Sequence, residues 1–336
     1  MKKLLALVLA LVLVCAMSVA SAEVVLQLAE THAEGYPTTL ADREFARLVE
    51  ERTEGRVKIE VYSGSQLADG ETTAIEKLQS GDIAFTRVSA SPVGSYVPSI
   101  NAIQLPYLYK NADHMWAVLD GEIGQSMLAG IQESGSGLIG LCYYEAGARS
   151  FYITQAAYDK ANFAEADLTG LKIRMQNNPM MVRMIELLGG TGVTGIGANE
   201  VYSSIQTGVV DGAENNWPTY QNMSDYEAAP VYVLDEHTRV PEILLMSEFV
   251  AENILSEEDV AIIKECAKET QQYERDRWAE KEESAEKIIR ESGCTVVEVD
   301  AETKAKYEAK MAPLYEEYGA DYTDIIDAIK AVGEGF

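Results

Sequence analysis

Hydrophobic and polar positions alternate along the first part of the chain in patterns that predict strands and helices in turn. Residues 24–28 form a mostly apolar run typical of a buried strand, and the apolar positions after residue 40 fall at helical spacing until Gly55. Residues 57–62 alternate between apolar and polar side chains, which predicts a second strand. A further helix that ends at Gly81 leads into a strand at residues 83–85. This order predicts β-α-β units and a mainly parallel sheet.

The same order of elements returns in the second half of the chain. Residues 171–175 predict a strand and residues 180–188 a helix. Asn199 is expected to cap another helix, which ends at Gly208 and leads into a further strand. The repetition predicts an α/β fold with two similar lobes.

A much longer helical pattern follows these two rounds. It begins at Ser256 and continues to about Arg290, which corresponds to about 50 Å of helix at 1.5 Å per residue. A helix of this length is either a brace across two lobes or a coiled-coil arm. The apolar positions do not keep a heptad, so the brace is the preferred interpretation. Residues 307–329 predict one or two further amphipathic helices.

The first 22 residues have the pattern of an export signal. Lys2 and Lys3 precede an apolar run at residues 4–14, and the small residues at 20–22 form a cleavage pattern. The mature chain is therefore expected in the periplasm or on the outer face of the cell membrane. A lipid anchor on Cys15 is an open alternative, although Val14 is not the small residue that a lipobox requires.

The charge of the chain excludes several classes of partner. The 54 acidic residues outnumber the 27 basic ones and give a net charge of −27, which becomes more negative when the export signal is removed. Such a charge argues against nucleic acid and anionic lipid as partners. The mature chain retains Cys142, Cys266 and Cys294, and the last two are separated by a predicted helix, so no structural disulfide is expected.

Signatures of catalysis or of cofactor binding are weak. The three histidines, His32, His114 and His237, lack metal-ligand spacing, and no cofactor or metal is expected. Residues 190–195 match a dinucleotide-binding fingerprint by letters, but they follow a predicted helix instead of a strand and are interpreted as a loop. A pair of carboxylates acting as in a glycosidase remains open, because acidic residues are so numerous.

Two arginines lie within or beside apolar segments. Arg174 lies in the strand predicted at residues 171–175, and Arg149 follows an apolar run that ends at Tyr144. A guanidinium group is always charged and presents a planar fork that matches a carboxylate. These arginines are candidates to bind an anion, and a structural salt bridge with one of the many acidic residues is the alternative.

A cluster of amide and aromatic side chains lies downstream. Asn215 and Asn216 precede Trp217, and Tyr220 follows three residues later. Amides can bond hydroxyl groups and aromatic rings can cover the apolar face of a sugar, so the cluster is suited to a polyol or a sugar acid. The alternative is a capped turn with a buried tryptophan.

Taken in order, these segments resemble the solute-binding subunit of TRAP transporters. The resemblance covers nearly the whole mature chain and is carried by Gly64-Ser65-Gln66-Leu67, Leu105-Pro106-Tyr107-Leu108, Gly147-Ala148-Arg149, Leu171-Lys172-Ile173-Arg174 and residues 206–215. It implies two α/β lobes of the clamshell type, with a ligand cleft between them and a long bracing helix. The first lobe would comprise residues 23–146 and about 241–280, and the second residues 147–240 and about 281–325.

The resemblance also implies a function and a set of contacts. The protein would capture a small organic acid and deliver it to membrane subunits that are driven by an ion gradient. Arg174 would bind the carboxylate, Arg149 would support it, and Asn215 would bond the ligand nearby.

Within the family, the segments at residues 32–37, 149–152 and 214–220 are similar to members that bind hexuronates such as glucuronate or galacturonate. By that likeness His32 and Glu71 would bond sugar hydroxyls, and Arg87 and Ser89 would line the same wall. A C4-dicarboxylate or a keto acid is the alternative ligand, and a secreted carbohydrate-active enzyme is the alternative of another class.

Overall fold

The computed structural model describes residues 23–336, so the predicted export signal and Cys15 lie outside the described residues. A first sheet contains five strands in the order β2-β1-β3-β10-β4. Strands β1, β2 and β3 are parallel to one another, and β10 runs antiparallel to β3 and β4. The bounds are β1 (Val24–Ala29), β2 (Val57–Tyr62), β3 (Phe85–Ser89), β4 (Leu138–Tyr144) and β10 (Glu242–Ser247).

A second sheet contains six strands in the order β11-β9-β5-β8-β6-β7. Strand β5 is antiparallel to both of its neighbours, whereas the pairs β11–β9, β8–β6 and β6–β7 are parallel. The bounds are β5 (Ala148–Ile153), β6 (Lys172–Arg174), β7 (Thr191–Val193), β8 (Gly212–Asn215), β9 (Val231–Arg239) and β11 (Thr295–Glu298). We call the bodies built on the first and second sheets the first and second lobe.

Helices cover both sheets. Those of the first lobe are α1 (Pro37–Arg52), α2 (Glu71–Ser80), α3 (Ala90–Tyr96), α4 (Ala112–Leu119) and α5 (Glu122–Glu133). Those of the second are α6 (Gln155–Tyr158), α7 (Pro179–Leu187), α8 (Val201–Gln206), α9 (Trp217–Asn222) and α10 (Asp225–Ala228). The chain continues through α11 (Glu248–Asn253), α12 (Glu257–Glu291), α13 (Ala301–Gly319) and α14 (Thr323–Val332).

The chain crosses between the two sheets by two short connections. Residues 145–147 join β4 to β5, and residues 240–241 join β9 to β10. Both connections lead from a strand of one sheet directly into a strand of the other, so the two sheets are joined by nearly continuous backbone.

Helix α12 joins the lobes a third time, and the predicted brace is confirmed. Ser256 caps its first turn by accepting a hydrogen bond from the backbone N–H of Asp259. One part of α12 packs on α1 and β4 of the first lobe, and another part packs on α9 of the second. Its buried residues, such as Cys266 and Trp278, lie along the side that faces the lobes.

The C-terminal helices contact both lobes. Helix α13 packs on α7 of the second lobe, and α14 packs against α4 and α5 of the first. No helix among residues 23–336 is long and apolar enough to cross a membrane. Cys142, Cys266 and Cys294 are all free thiols in the described part of the chain.

Most predicted elements lie where the periodicity placed them, and three details differ. The strand predicted at residues 83–85 begins only at Phe85, because the chain first turns after the left-handed Gly81. Residues 190–195 are not simply a loop, since Thr191–Val193 pairs with Lys172–Arg174 as an edge strand. Asn199 does not cap α8 but lies inside a 3-10 turn, Ala198–Glu200.

Candidate functional site

A cavity of about 400 Å³ lies between the two lobes. The first lobe contributes Thr31, His32, Glu71 and Glu242 to its walls. The second lobe contributes Arg149 near the start of β5 and the carboxyl ends of β6 and β8, together with residues 195–200 and Thr219 of α9. The volume lies within the range of small-ligand sites, and the polar lining is suited to a hydrophilic ligand.

Arg174 lies at the end of β6 and faces this cavity. The residue is only 8% exposed, and its Nε and Nη2 atoms donate to the carbonyl oxygen of Ile196 at 3.0 and 2.8 Å. Of the buried arginines among the described residues, it alone has no carboxylate within ion-pair distance. Burial lowers the pKa of Arg174, although a guanidinium group remains charged in proteins. The cavity therefore contains a buried positive charge without a carboxylate partner among residues 23–336.

Arg149 lies near the start of β5 and lines the same cavity as Arg174, but its environment is different. It pairs with Glu214 through Nε and Nη2, and its Nη1 donates to Oδ1 of Asn215 at 3.0 Å. Burial alone would raise the pKa of Glu214, but Arg149 and His237 lower it to about 2. The charge of Arg149 is thus largely balanced by the protein, so Arg149 adds a hydrogen-bond donor to the cavity more than a net charge.

Asn215 ends β8, where the register of β5 with β8 places it beside Arg149. Its Oδ1 accepts from Arg149 and from the backbone N–H of Asn216. The amide nitrogen has no partner among the described residues, so it can donate into the cavity that Asn215 lines. The three residues named by the carboxylate hypothesis therefore lie together on one wall.

His32 and Glu71 lie on the opposite wall. The Nδ1 atom of His32 lies 2.9 Å from Oγ1 of Thr38, and burial followed by the charge of Arg87 lowers the pKa of His32 to about 3. His32 is therefore neutral. Glu71 is the first residue of α2, and its Oε1 accepts from Arg87 and from the backbone N–H of Ser89.

Arg87 and Ser89 do not line the cavity, which corrects one expectation from the sequence. Arg87 is fully buried, and its five N–H groups all donate within the protein, to Glu30, Glu71, Glu242 and Thr31. Ser89 is also fully buried and caps α3. Both residues lie behind the wall and hold Glu71 in position.

Trp217 and Tyr220 do not line the cavity either. Trp217 stacks on Tyr232 with ring centroids 4.0 Å apart, and the hydroxyl of Tyr220 donates to the carbonyl of Ala229. Asn216 caps the helix that carries both rings. The alternative interpretation, a capped turn with a buried tryptophan, is the one that the structure supports.

Glu242 and Thr219 line the cavity but were missed by the sequence analysis. Glu242 begins the apolar strand β10, so it shows the same signal that pointed to Arg174, a charged side chain in an apolar run. Thr219 lacks such a signal, because only the fold brings its Oγ1 to 3.0 Å from the hydroxyl of Tyr36 in the first lobe.

Further hydrogen bonds connect the lobes at the rim of the cavity. The side-chain amide of Asn178 donates to the carbonyl of Ser91 at 2.7 Å, and that of Asn177 donates to Oγ1 of Thr72 at 3.2 Å. With the Tyr36–Thr219 contact, these bonds link the two lobes beside the cavity.

Two α/β lobes joined by crossing strands around a cavity with a buried arginine define a clamshell solute-binding protein. The chain matches the DctP model, described as bacterial extracellular solute-binding protein, family 7, over residues 28–321. The protein belongs to this family, whose members act outside the cytoplasm.

Individual relatives agree with this assignment. A solute-binding protein of Chromohalobacter salexigens is 37% identical over 88% of this chain and 87% of its own length. A TRAP periplasmic solute-binding protein of Pseudomonas putida F1, solved with bound D-glucuronate, superposes with a TM-score of 0.85 at 34% identity and covers 92% of this chain and 97% of its own. A TRAP periplasmic solute-binding protein of Xanthobacter autotrophicus Py2, solved with bound β-D-galacturonate, superposes with a TM-score of 0.84 at 36% identity. That match covers 91% of this chain and 99% of the relative.

Proposed function

We propose that this protein is the binding subunit of a TRAP transporter and that it captures a uronate, such as D-glucuronate or D-galacturonate. The observation that carries the proposal is the buried guanidinium of Arg174, which faces the cavity and has no carboxylate partner among residues 23–336. An isolated buried charge is costly, so an anionic ligand that pairs with it stabilises the closed form. The ligands of the solved relatives are of this chemical class.

The free donors of Arg174 suit a carboxylate. Its Nε edge is bonded to Ile196, whereas Nη1 and one hydrogen of Nη2 remain available as a two-donor fork. The second proton of Arg149 Nη1 and the amide of Asn215 would add donors on the same wall. The remaining polar groups of the opposite wall, His32 and Glu71, would bond ligand hydroxyls.

The proposed mechanism is closure of the lobes on the ligand. We place the lobe boundaries at residues 146 and 240, so that the lobes would move about the connections at residues 145–147 and 240–241. A ligand that contacts both walls binds the closed form better than the open one and shifts the population toward it. The closed form would then deliver the uronate to membrane subunits that use an ion gradient.

We further propose that the protein has no catalytic activity of its own. Of the carboxylates that line the cavity among the described residues, Asp69 and Glu200 are exposed, and Glu71 and Glu242 both accept from Nη1 of Arg87. Glu71 and Glu242 therefore lie together on one wall, instead of facing each other across the cavity as an acid and base on either side of a glycosidic bond would. Release of sugar from a uronic oligosaccharide by the purified chain would contradict this assignment.

Variants at Arg174 test the carboxylate contact. Because each hydrogen bond between charged groups contributes about 1.5–3 kcal/mol, Arg174→Ala should weaken uronate binding at least 100-fold. Arg174→Lys should not restore it, since an ammonium group lacks the fork. Isothermal titration calorimetry measures both affinities.

The matched control is Arg183→Ala, which removes an exposed arginine of the same lobe that pairs with Glu317. The control should bind uronate as the wild type does. Full affinity in Arg174→Lys would contradict bidentate binding, and full affinity in Arg174→Ala would contradict the role of Arg174 altogether.

A further inference from the structure

The first-lobe wall of the cavity contains more negative than positive charge. Glu30 accepts from Nε and Nη2 of Arg87, so the two groups form a bidentate ion pair. Glu71 and Glu242 both accept from the remaining Nη1 of the same guanidinium, at 2.8 and 2.7 Å. Three carboxylates therefore surround a single cation.

Among residues 23–336, no other cation lines this wall and offsets the excess of negative charge. His32 is neutral, and Asp69 adds a further acid at the exposed edge of the cavity. Burial, together with the charges of Glu71 and Glu30, raises the pKa of Glu242 to about 7 against the opposing effect of Arg87. The raised pKa agrees with an excess of carboxylates around Arg87.

The opposite wall has the reverse polarity. Arg149 is balanced by Glu214, and Arg174 has no carboxylate within ion-pair distance among the described residues. Glu200 also lines this wall, but it is exposed to solvent and accepts from the backbone N–H of Gly197. The buried part of the cavity is thus cationic on the second-lobe side and anionic on the first-lobe side. A ligand aligned between the walls meets one site for a carboxylate and one site that repels a carboxylate.

We propose that Glu242, together with Glu71, determines specificity by excluding a second carboxylate, so that the cavity accepts polyhydroxy acids with one negative charge and rejects dicarboxylates. This inference rests on the proposed function and narrows its substrate class. A hydroxyl or hydroxymethyl group at the far end of the ligand can donate to Glu242 or Glu71, whereas a carboxylate there cannot. Discrimination of this kind depends on a repulsive group as much as on attractive ones.

The test uses D-gluconate and D-glucarate, which differ only in that one end carries a hydroxymethyl group in the first and a carboxylate in the second. D-Glucuronate serves as the reference ligand. Calorimetry at pH 8 should show glucarate binding at least 100-fold more weakly than gluconate or glucuronate. In Glu242→Gln, the affinity for glucarate should rise at least tenfold relative to the affinity for glucuronate. The glutamine amide can still accept a hydrogen bond from Arg87 but carries no charge that repels a second carboxylate.

Glu76→Gln is the matched control, because it removes the same charge from an exposed residue of α2 that does not line the cavity. It should leave the ratio of the two affinities within about threefold of the wild-type value, since solvent screens exposed charges. If Glu242→Gln does not fold, Glu71→Gln, which removes a partly exposed carboxylate from the same wall, should change the ratio in the same direction.

The outcomes separate this inference from the proposed function. Glucarate binding as tightly as glucuronate in the wild type would overturn the exclusion and leave uronate binding intact. Failure of a folded Glu242→Gln or Glu71→Gln to gain glucarate affinity would also overturn it. Absence of binding by any monocarboxylate would overturn the proposed function itself.

Discussion

Three of the arginines among residues 23–336 are buried around the cavity, and they differ in the number of carboxylates beside them. Arg87 pairs with three carboxylates, Arg149 pairs with one, and Arg174 pairs with no carboxylate of the described residues. A buried guanidinium that is paired within the protein positions other groups, as Arg87 does for Glu71. A buried guanidinium without a carboxylate partner, such as Arg174, is costly, and under the proposed function an anionic ligand would offset that cost.

His237 gives a residue-scale prediction about pH. Its Nδ1 lies 3.0 Å from Asp235 and its Nε2 lies 3.5 Å from Glu214, and these carboxylates raise its pKa to about 9 although burial opposes them. A raised pKa means that the folded state holds the proton more tightly than the unfolded state. Protonated His237 therefore makes its full contribution to the free energy of unfolding below pH 6.5, and this contribution is lost as the pH rises toward 9.

Denaturation with urea at several pH values measures this effect. The free energy of unfolding of the wild type should fall between pH 6.5 and 9, and His237→Gln should show a smaller fall over the same interval. Equal slopes for the two proteins would show that His237 does not titrate as described.

At the scale of elements, the connection at residues 145–147 is fixed by a glycine. Gly147 has a φ angle of +63°, and a Cβ atom there would lie 2.3 Å from Oε1 of Glu282 and 3.3 Å from the Trp278 ring. Glu145 accepts hydrogen bonds from the backbone N–H groups of residues 146 and 147. Only glycine lets the chain pass between the lobes this close to α12.

Gly147→Ala is expected to destabilise the protein for two reasons. The left-handed backbone costs an L-residue about 1 kcal/mol, and displacement of Glu282 and Trp278 should cost about 1 kcal/mol more. Gly170→Ala isolates the first cost, because Gly170 has a φ angle of +80° and open space around it. Urea denaturation should show a larger loss for Gly147→Ala than for Gly170→Ala, and equal losses would contradict the close approach to α12.

The positions of the helices and strands could be predicted because they depend on the local pattern of apolar and polar residues. The pairing of side chains from distant segments could not be predicted in this way. The helical periodicity and the capping residue predicted both ends of α12 to within one or two residues, because a 35-residue helix repeats the helical pattern many times. The difference between Arg149 and Arg174 depends on the register of β5 with β8, which brings Glu214 to one arginine and not to the other. Trp217 was predicted to face the ligand but packs on Tyr232, because an aromatic residue next to amides gives the same sequence pattern in a ligand site and in a core.

At the scale of the whole molecule, the resemblance predicted the family, the two lobes and the brace, which the structure and the relatives confirm. The charge asymmetry of the cleft could not be predicted in this way. It requires Arg87 and Glu242, which are 155 positions apart in the chain, to meet on neighbouring strands β3 and β10. An acidic protein can bind an anion because the unpaired charge of Arg174 is local, buried and weakly screened.

The central claim is that the cavity binds a sugar through its carboxylate, and one pair of titrations tests it most directly. Residues 23–336 are titrated by calorimetry with D-glucuronate or D-galacturonate and, separately, with D-glucose or D-galactose, which have a hydroxymethyl group in place of the carboxylate. We expect one site with micromolar or tighter affinity for a uronate and at least 1,000-fold weaker binding of the matching neutral sugar, about 4 kcal/mol. Equal binding of a uronate and its neutral counterpart, or no binding of either uronate, would contradict the account.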